Sequence, residues 1–323
     1  GDPYYADASA DYFPDTLRVK VVAESPEYLF LGIFHPKKKW VIAHVAEVCN
    51  GEVVFPHVEP DAIYGLLEKK GDGSFATVDY PFYFDGKSPH FYVPDKEKEE
   101  SVVLYRKHPL MAWIGTYLDE IHGARFDFSD TEDFKRIKYT YQVSDTPSVC
   151  YNEVLLPVRL KCRYVRYQAM ECKNTNIGEL LFWEEGTRLY PVTVEGPPAE
   201  NPVNVSGRMF DDDPLTYYST RSPGATLLMD FGTQVEIDSF VFIPRNDDNF
   251  IRMGDTYELY YHDGKNDWVS LGQKIATKPE LTYDNLPHGA LFHLRCLTRG
   301  EEEQVFHIKD GKQVFISNLS YVR

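Results

Sequence analysis

The sequence predicts an all-β fold: a small N-terminal β-sandwich followed by two further β-sandwiches. Apolar runs of roughly four to eight residues recur along the chain, many alternating with period two, and turn signals separate them about every 8–12 residues. With 23 Tyr and 20 Phe, aromatic residues reach 15% of the chain, a composition suited to half-buried pleated surface. Helical periodicity is scarce. A length of 323 residues implies two or three domains rather than one.

Residues 1–15 are small, acidic and aromatic without periodicity, and read as an incoming linker. From Thr16 the pattern changes. Leu17-Arg18-Val19-Lys20-Val21 alternates, Tyr28 to Phe34 is a buried-strand run, and Trp40 to Val45 follows a turn at His35-Pro36-Lys37. Val53 to Phe55, Ile63 to Leu67, Phe75 to Val78 and Phe91 to Val93 continue the series. Asn50-Gly51, Lys70 to Gly73 and Asp85-Gly86 supply the turns. The expectation is a domain over 16–95 resembling immunoglobulin or fibronectin sandwiches. The charge run Asp95 to Glu100 reads as a solvated linker after it.

Beyond that run lies a weak internal repeat. Gly123-Ala124-Arg125-Phe126-Asp127 leads to Lys138 to Tyr141, and about 120 residues later Ile243-Pro244-Arg245-Asn246-Asp247 leads to Tyr257 to Tyr261. Each copy is followed by an Arg-bearing strand, Arg163 to Tyr167 and Leu291 to Arg295. Tandem sandwiches over 101–187 and 190–323 are therefore expected. The one candidate helix is Leu110 to Ile121, weakened by Gly115.

Charge and cysteine usage exclude several function classes. With 50 acidic against 34 basic residues the net charge is −16, which repels nucleic acid and anionic membranes unless a local basic patch intervenes. The densest basic cluster, Lys37-Lys38-Lys39, sits beside a turn proline and reads as a hairpin tip. Cys49, Cys150, Cys162, Cys172 and Cys296 show neither C-x-x-C spacing nor a nearby His, so zinc and redox motifs are absent and most thiols are expected to be buried. No run of about 18 apolar residues occurs, and membrane insertion is not expected. The opening Gly1-Asp2-Pro3-Tyr4-Tyr5 has no signal-peptide character and is expected to be a mature or trimmed start. G-x-S-x-G, H-E-x-x-H, P-loop and dinucleotide motifs are missing, and carboxylates adjacent in sequence give no warrant for glycosidase chemistry. No enzymatic activity is expected.

Several stretches resemble discoidin domains, also called coagulation factor V/VIII type C or galactose-binding-like domains. Met209-Phe210-Asp211-Asp212-Asp213-Pro214-Leu215-Thr216-Tyr217-Tyr218 is similar to their F-D-G-D-x-x-T-x-W stretch, with Asp212 in place of Gly and Tyr218 in place of Trp. Met229 to Gly232 with Glu236 to Phe240 resembles the L-D-L-G … I-x-x-I pair. His262-Asp263-Gly264 with Trp268 resembles the S-x-D-G-x-x-W hairpin, and Asn176 to Phe182 the closing I-A-E-L-E-V strand. The resemblance covers roughly 120–323 and is degenerate before 190. It implies two discoidin-like jelly-roll sandwiches, the first lacking the acidic stretch. More narrowly, Ile243 to Ile251, Leu281 to Asn285 and Leu297 to Gly300 look like the C-terminal region of secreted, transglutaminase-like proteins of gut bacteria. That implies a secreted, periplasmic or cell-surface setting and an upstream catalytic domain in the full-length protein.

The resemblance also implies a ligand at the loop end. Sugar hydroxyls need donors and acceptors together: Arg offers a fixed fork, Asp accepts, and Asn does both. Arg245, Asn246, Asp247, Asn249 and Phe250 supply these with a stacking ring, and Arg125 and Asp127 are their counterparts in the first copy. The other reading is that Arg245 pairs with Asp247 or Asp248 and merely braces the loop. Asp211 and Asp213 are implied ligands of a structural Ca²⁺, against an Asx turn holding no ion. Trp183 and Trp268 read as packing residues, and the acceptor patterns at Asn204 and Asn318 as chance matches. Two functions follow: a non-catalytic carbohydrate-binding region, or a structural, protein-interaction arm that binds no sugar.

Overall fold

The computed structural model describes residues 13–22, 25–35, 39–265, 267–300 and 304–316. Most of the expected 1–15 linker, Lys37 and Lys38, Glu301 to Glu303, and Asn318 to Ser320 lie outside these residues. The protein is all-β, 53% strand and 5% helix, in several antiparallel sheets. It divides into two compact units, one made of residues up to 109 with those from 251 onward, the other of 110–250.

The N-terminal strands are β1 (Leu17–Lys20), β2 (Tyr28–His35), β3 (Lys39–Cys49), β4 (Glu52–Phe55), β5 (Ala62–Lys69), β6 (Phe75–Thr77), β7 (Phe82–Phe84) and β8 (Pro89–Phe91). They form one eight-stranded sheet, ordered β1-β4-β3-β2-β5-β7-β8 with β6 on β5, and it curls until β1 and β8 approach each other. The alternation read in β1 is real: Leu17 and Val19 are buried, Arg18 and Lys20 exposed. Asn50 and Gly51 both take positive φ (52° and 72°), the geometry of a two-residue hairpin turn, and so register Cys49 against Glu52. Leu29, Leu31, Ile33, Phe55, Tyr64, Phe82 and Phe84 fill the interior. The run at 95–100 is no linker: it opens β9 (Asp95–Leu104), in which Lys96 to Glu99 stay exposed while Val102 and Leu104 are buried.

The second unit begins with α1 (Ala112–Ile121), which buries Ile114, Leu118 and Ile121 at helical spacing. Gly115 faces open space, so it costs only propensity. Then come β10 (Arg125–Ser129), β11 (Ile137–Gln142), β12 (Asn152–Gln168), β13 (Thr175–Glu184), β14 (Thr187–Leu189), β15 (Thr193–Glu195), a 3-10 turn at Ser206–Phe210, β16 (Tyr218–Thr220) and β17 (Thr226–Pro244). Their sheet runs β11-β10-β12-β17-β13-β14, with β15 on β17 and β16 on β13. The 19-residue β17 carries the unit, pairing with β12 over most of its length and with β13 near its end. Phe126, Phe128, Tyr167, Phe182, Phe240 and Phe242 form the core.

The remaining strands return to the first unit: β18 (Thr256–His262), β19 (Trp268–Ile275), β20 (Leu281–His288), β21 (Phe292–Cys296), β22 (Val305–Lys309) and β23 (Lys312–Phe315). Five make a sheet ordered β19-β18-β21-β22-β23, and β20 pairs with β9. Trp268 packs as expected, its ring 5.4 Å from Phe34. All five cysteines are free thiols, with Cys150, Cys162 and Cys296 buried.

The division of the chain differs from the tandem arrangement expected at 101–187 and 190–323. Strands from both sides of that boundary share the β12-β17-β13 ladder, and residues after 250 belong to the other unit. The two copies of the repeat also differ: β10 and β11 pair directly, whereas β17 and β18 lie in separate sheets. Short Arg-x-Asp matches say nothing of pairing partners distant in sequence.

Candidate functional site

Arg245 follows the last residue of β17, beside the start of β13. Its backbone N–H donates to the carbonyl of Asn176 (3.3 Å), and its Nη1 donates to Asn176 Oδ1 (3.3 Å). Asn176 is 5% exposed, and its Nδ2 donates to Glu120 Oε2 on α1 (2.6 Å). The guanidinium carbon lies 3.9 Å from the Tyr217 ring centroid and 4.4 Å from that of Tyr117. Two phenol rings thus contact the fork, which restricts its orientation and leaves N–H groups for hydrogen bonding. Among the described residues no carboxylate stands within ion-pair distance of it, so Arg245 does not pair with Asp247 or Asp248.

Two carboxylates feel this charge without touching it. Burial lifts the Glu120 carboxyl above its ordinary range, while Asn176 and Arg245 pull it back. Glu200 is held below its ordinary range, first by the Ser219 hydroxyl that donates to it (2.9 Å); Arg221 pairs with it, and Arg245 adds to the pull. Trp113, one turn before Tyr117, meets that ring edge-to-face at 6.0 Å.

The rest of the loop does not serve as expected. Asn246 is 9% exposed and spends its amide on the carbonyls of Pro214 (2.9 Å) and Pro244 (3.0 Å), while its Oδ1 accepts from Asp248 N–H (3.0 Å). Asp247 is part-exposed and accepts from Asn249 N–H (3.2 Å). Asn249 is buried completely. Phe250, 2% exposed, packs with Ile114, Leu118, Val149, Cys150 and Ile243, so it is no stacking platform. The reason is α1: it covers this loop with an apolar stripe that needs a matching ring.

Arg125 and Asp127 lie on β10, a strand rather than a loop. Asp127 is fully buried and accepts from Arg166 Nη2 (2.6 Å) and Nε (3.1 Å), Arg125 Nε (3.2 Å) and Thr140 Oγ1 (2.7 Å). Burial raises its carboxyl, but these partners outweigh it and the net shift is downward. The group cross-links β10, β11 and β12. In register it stands opposite Arg166 and Leu228, at the far end of β17 from Arg245. The structure does not bring the two sets together.

Asp211 and Asp213 form an acidic turn. Asp211 accepts from Thr216 Oγ1 (2.8 Å), Arg208 Nη1 (3.1 Å) and Asp213 N–H (3.2 Å); Asp213 accepts from Leu215 N–H (3.1 Å). Between them Asp212 takes φ +61°, the left-handed conformation that explains glycine in the resembled pattern and that Asp tolerates. Beside the turn, Glu179 on β13 is 1% exposed, and neither carboxyl oxygen has a hydrogen-bond partner within ordinary distance. Burial first, then Asp211 and Asp212, push it up to about 8. No three His, Cys, Asp or Glu side chains converge at ligating spacing among the described residues. A hard cation here would therefore draw on the carboxylates of Glu179 and Asp211, the Thr216 hydroxyl and the carbonyls of Arg208 and Asp213, both of which already face that hydroxyl. The buried carboxyl of Glu179, without a hydrogen-bond partner, is the feature that would suit such an ion, whereas Asp211 already pairs with Arg208 and Arg188 acts on Glu179.

The sequence reading missed Asn176, Glu179, Glu120, Trp113, Tyr117 and Tyr217. One signal was available: Asn176 and Glu179 interrupt an otherwise apolar, buried strand, and buried polar groups need partners. No protein-family model matches this chain and no curated protein matches it, so the Arg245 corner and the acidic turn stand on their own geometry.

Proposed function

We propose that the Arg245 corner binds carbohydrate, without catalysis, as part of a secreted or cell-surface protein, and that the 110–250 unit is its discoidin-like, jelly-roll module. The observation that carries this reading is the state of Arg245. A bracing arginine would neutralise itself on Asp247 or Asp248; this one contacts the rings of Tyr117 and Tyr217 and makes a single side-chain hydrogen bond, to Asn176. A pre-oriented fork beside an accepting carboxylate, Glu120, and exposed aromatic surface is the set that sugar hydroxyls and sugar ring faces require. Asn176 positions the fork. Of the loop residues, Arg245 and Asp247 remain accessible for contact. A structural Ca²⁺ at the acidic turn, held by Glu179 and Asp211, would fix the loop that carries Tyr217.

Binding of the full chain to an array of glycans tests the reading, with Arg245→Ala as the paired variant. Signal on at least one glycan, lost in Arg245→Ala with an unchanged melting curve, supports it. Absence of signal on every glycan overturns it in favour of a structural, protein-interaction arm.

A further inference from the structure

Size and charge of the ligand are written into the same corner. Trp113 stands in the first turn of α1, and Tyr117 follows four residues later, so both rings share one side of the helix. The core stripe of α1 is supplied by Ile114, Leu118 and Ile121, and packing makes no demand on Trp113. It is 47% exposed, and it meets the Tyr117 ring edge-to-face, so much of its apolar surface is open to a ligand. Tyr117 therefore separates two different surfaces: an aromatic platform at Trp113, and a polar set at Arg245 and Glu120. The Trp113 ring centroid lies 6.0 Å from that of Tyr117, which lies 4.4 Å from the Arg245 guanidinium carbon.

Charge is distributed as closely. The positive charge of Arg245 is already shared by Glu120 and Glu200. The other cations here are engaged, Arg221 with Glu200 and Lys173 with Asp119 at 3.1 Å. Asp247 adds a further negative group on the loop. A carboxylated or sulfated sugar would meet more anions than free cations.

Resting on the carbohydrate reading above, we propose that the corner selects an uncharged oligosaccharide of at least two rings, one stacked on Trp113 and its neighbour hydrogen-bonded by Arg245 and Glu120. The ligand is recognised by ring faces and hydroxyls, not by charge. Trp113 sets the length preference, and the surrounding carboxylates reject acidic glycans.

The test titrates the full chain with mono-, di- and trisaccharides of glucose, galactose, mannose and N-acetylglucosamine, alongside uronic-acid, sialylated and sulfated sugars. Within the binding series, affinity is expected to rise tenfold or more from one ring to two or three. Trp113→Ala should abolish that gain, and Trp113→Phe should restore part of it. Far-ultraviolet circular dichroism checks that the variants fold. A monosaccharide bound as tightly as its trisaccharide, a Trp113→Ala variant with the full length gain, or tighter binding of acidic than neutral sugars overturns the proposal while leaving sugar binding intact. No binding of any sugar overturns the underlying reading as well.

Discussion

The guanidinium of Arg245 lies 3.9 Å from the centroid of the Tyr217 ring, and among the described residues it forms no ion pair, although Glu120 and Glu200 share its field. Such a contact is worth about 0.5–1 kcal/mol where partly exposed, and a flat guanidinium can in addition stack on the ring. Arg245→Lys keeps the charge but loses both the plane and the fork. It is expected to weaken glycan binding at least tenfold in isothermal titration, while the thermal midpoint moves by no more than a few degrees. Tyr217→Leu should weaken binding as well and lower stability by about 0.5–1 kcal/mol.

Asp127 provides the contrasting case. Its buried carboxylate holds Arg166, Arg125 and Thr140, so Asp127→Asn should cost about 3 kcal/mol in urea unfolding and leave glycan titrations unchanged. The sign of its pH dependence follows from its lowered carboxyl. Its contribution is fully present above the ordinary Asp range and is lost as pH falls through the folded-state value. The Asn variant should therefore show a shallower acid limb.

Glu179 runs the opposite way. Its carboxyl is raised to about 8 in the folded chain from 4.5 otherwise, so the folded state holds the extra proton between those values. In calcium-free buffer, stability is favoured below about pH 4.5 and declines as pH rises toward 8. Glu179→Gln should flatten that decline in denaturant midpoints measured across pH. Calcium should raise the melting temperature of the parent but not of Glu179→Gln, and should release protons in weakly buffered solution near pH 7.

Gly264, in the turn after β18, takes φ +82°, and a Cβ there would lie 2.7 Å from the Tyr80 ring. Gly264→Ala is expected to cost more than the roughly 1–2 kcal/mol of left-handed strain. Gly254→Ala supplies the control, since φ is +89° there and its surroundings are open. The difference between the two in chemical denaturation isolates the clash.

The first six strands were legible because each carries its own signal, as Leu17 and Val19 do by alternation and Asn50-Gly51 by turn chemistry; β7 at Phe82–Phe84 was missed, and β8 lies at Pro89–Phe91 rather than at Phe91 to Val93. The helix was legible through Ile114, Leu118 and Ile121, in spite of Gly115. The run at Asp95 to Glu100 misled, because a strand with one partner and a wet face tolerates charge. Pairing at long range was not readable: nothing in Val241 or Phe242 says that β12 and β13 flank them. At the candidate site, Arg245 was identified but its neighbours were not. Tyr117, Asn176 and Tyr217 come from three separate elements, and only folding brings them to one guanidinium.

Every residue of the Arg245 corner falls between 110 and 250, and that segment interrupts the other unit between β9 and β18. The segment is thus a cassette spliced into a host whose own strand pairings involve none of it. Whatever the corner binds, a lineage could acquire or discard it in one insertion or deletion, with the host sheets free to diverge at their own pace.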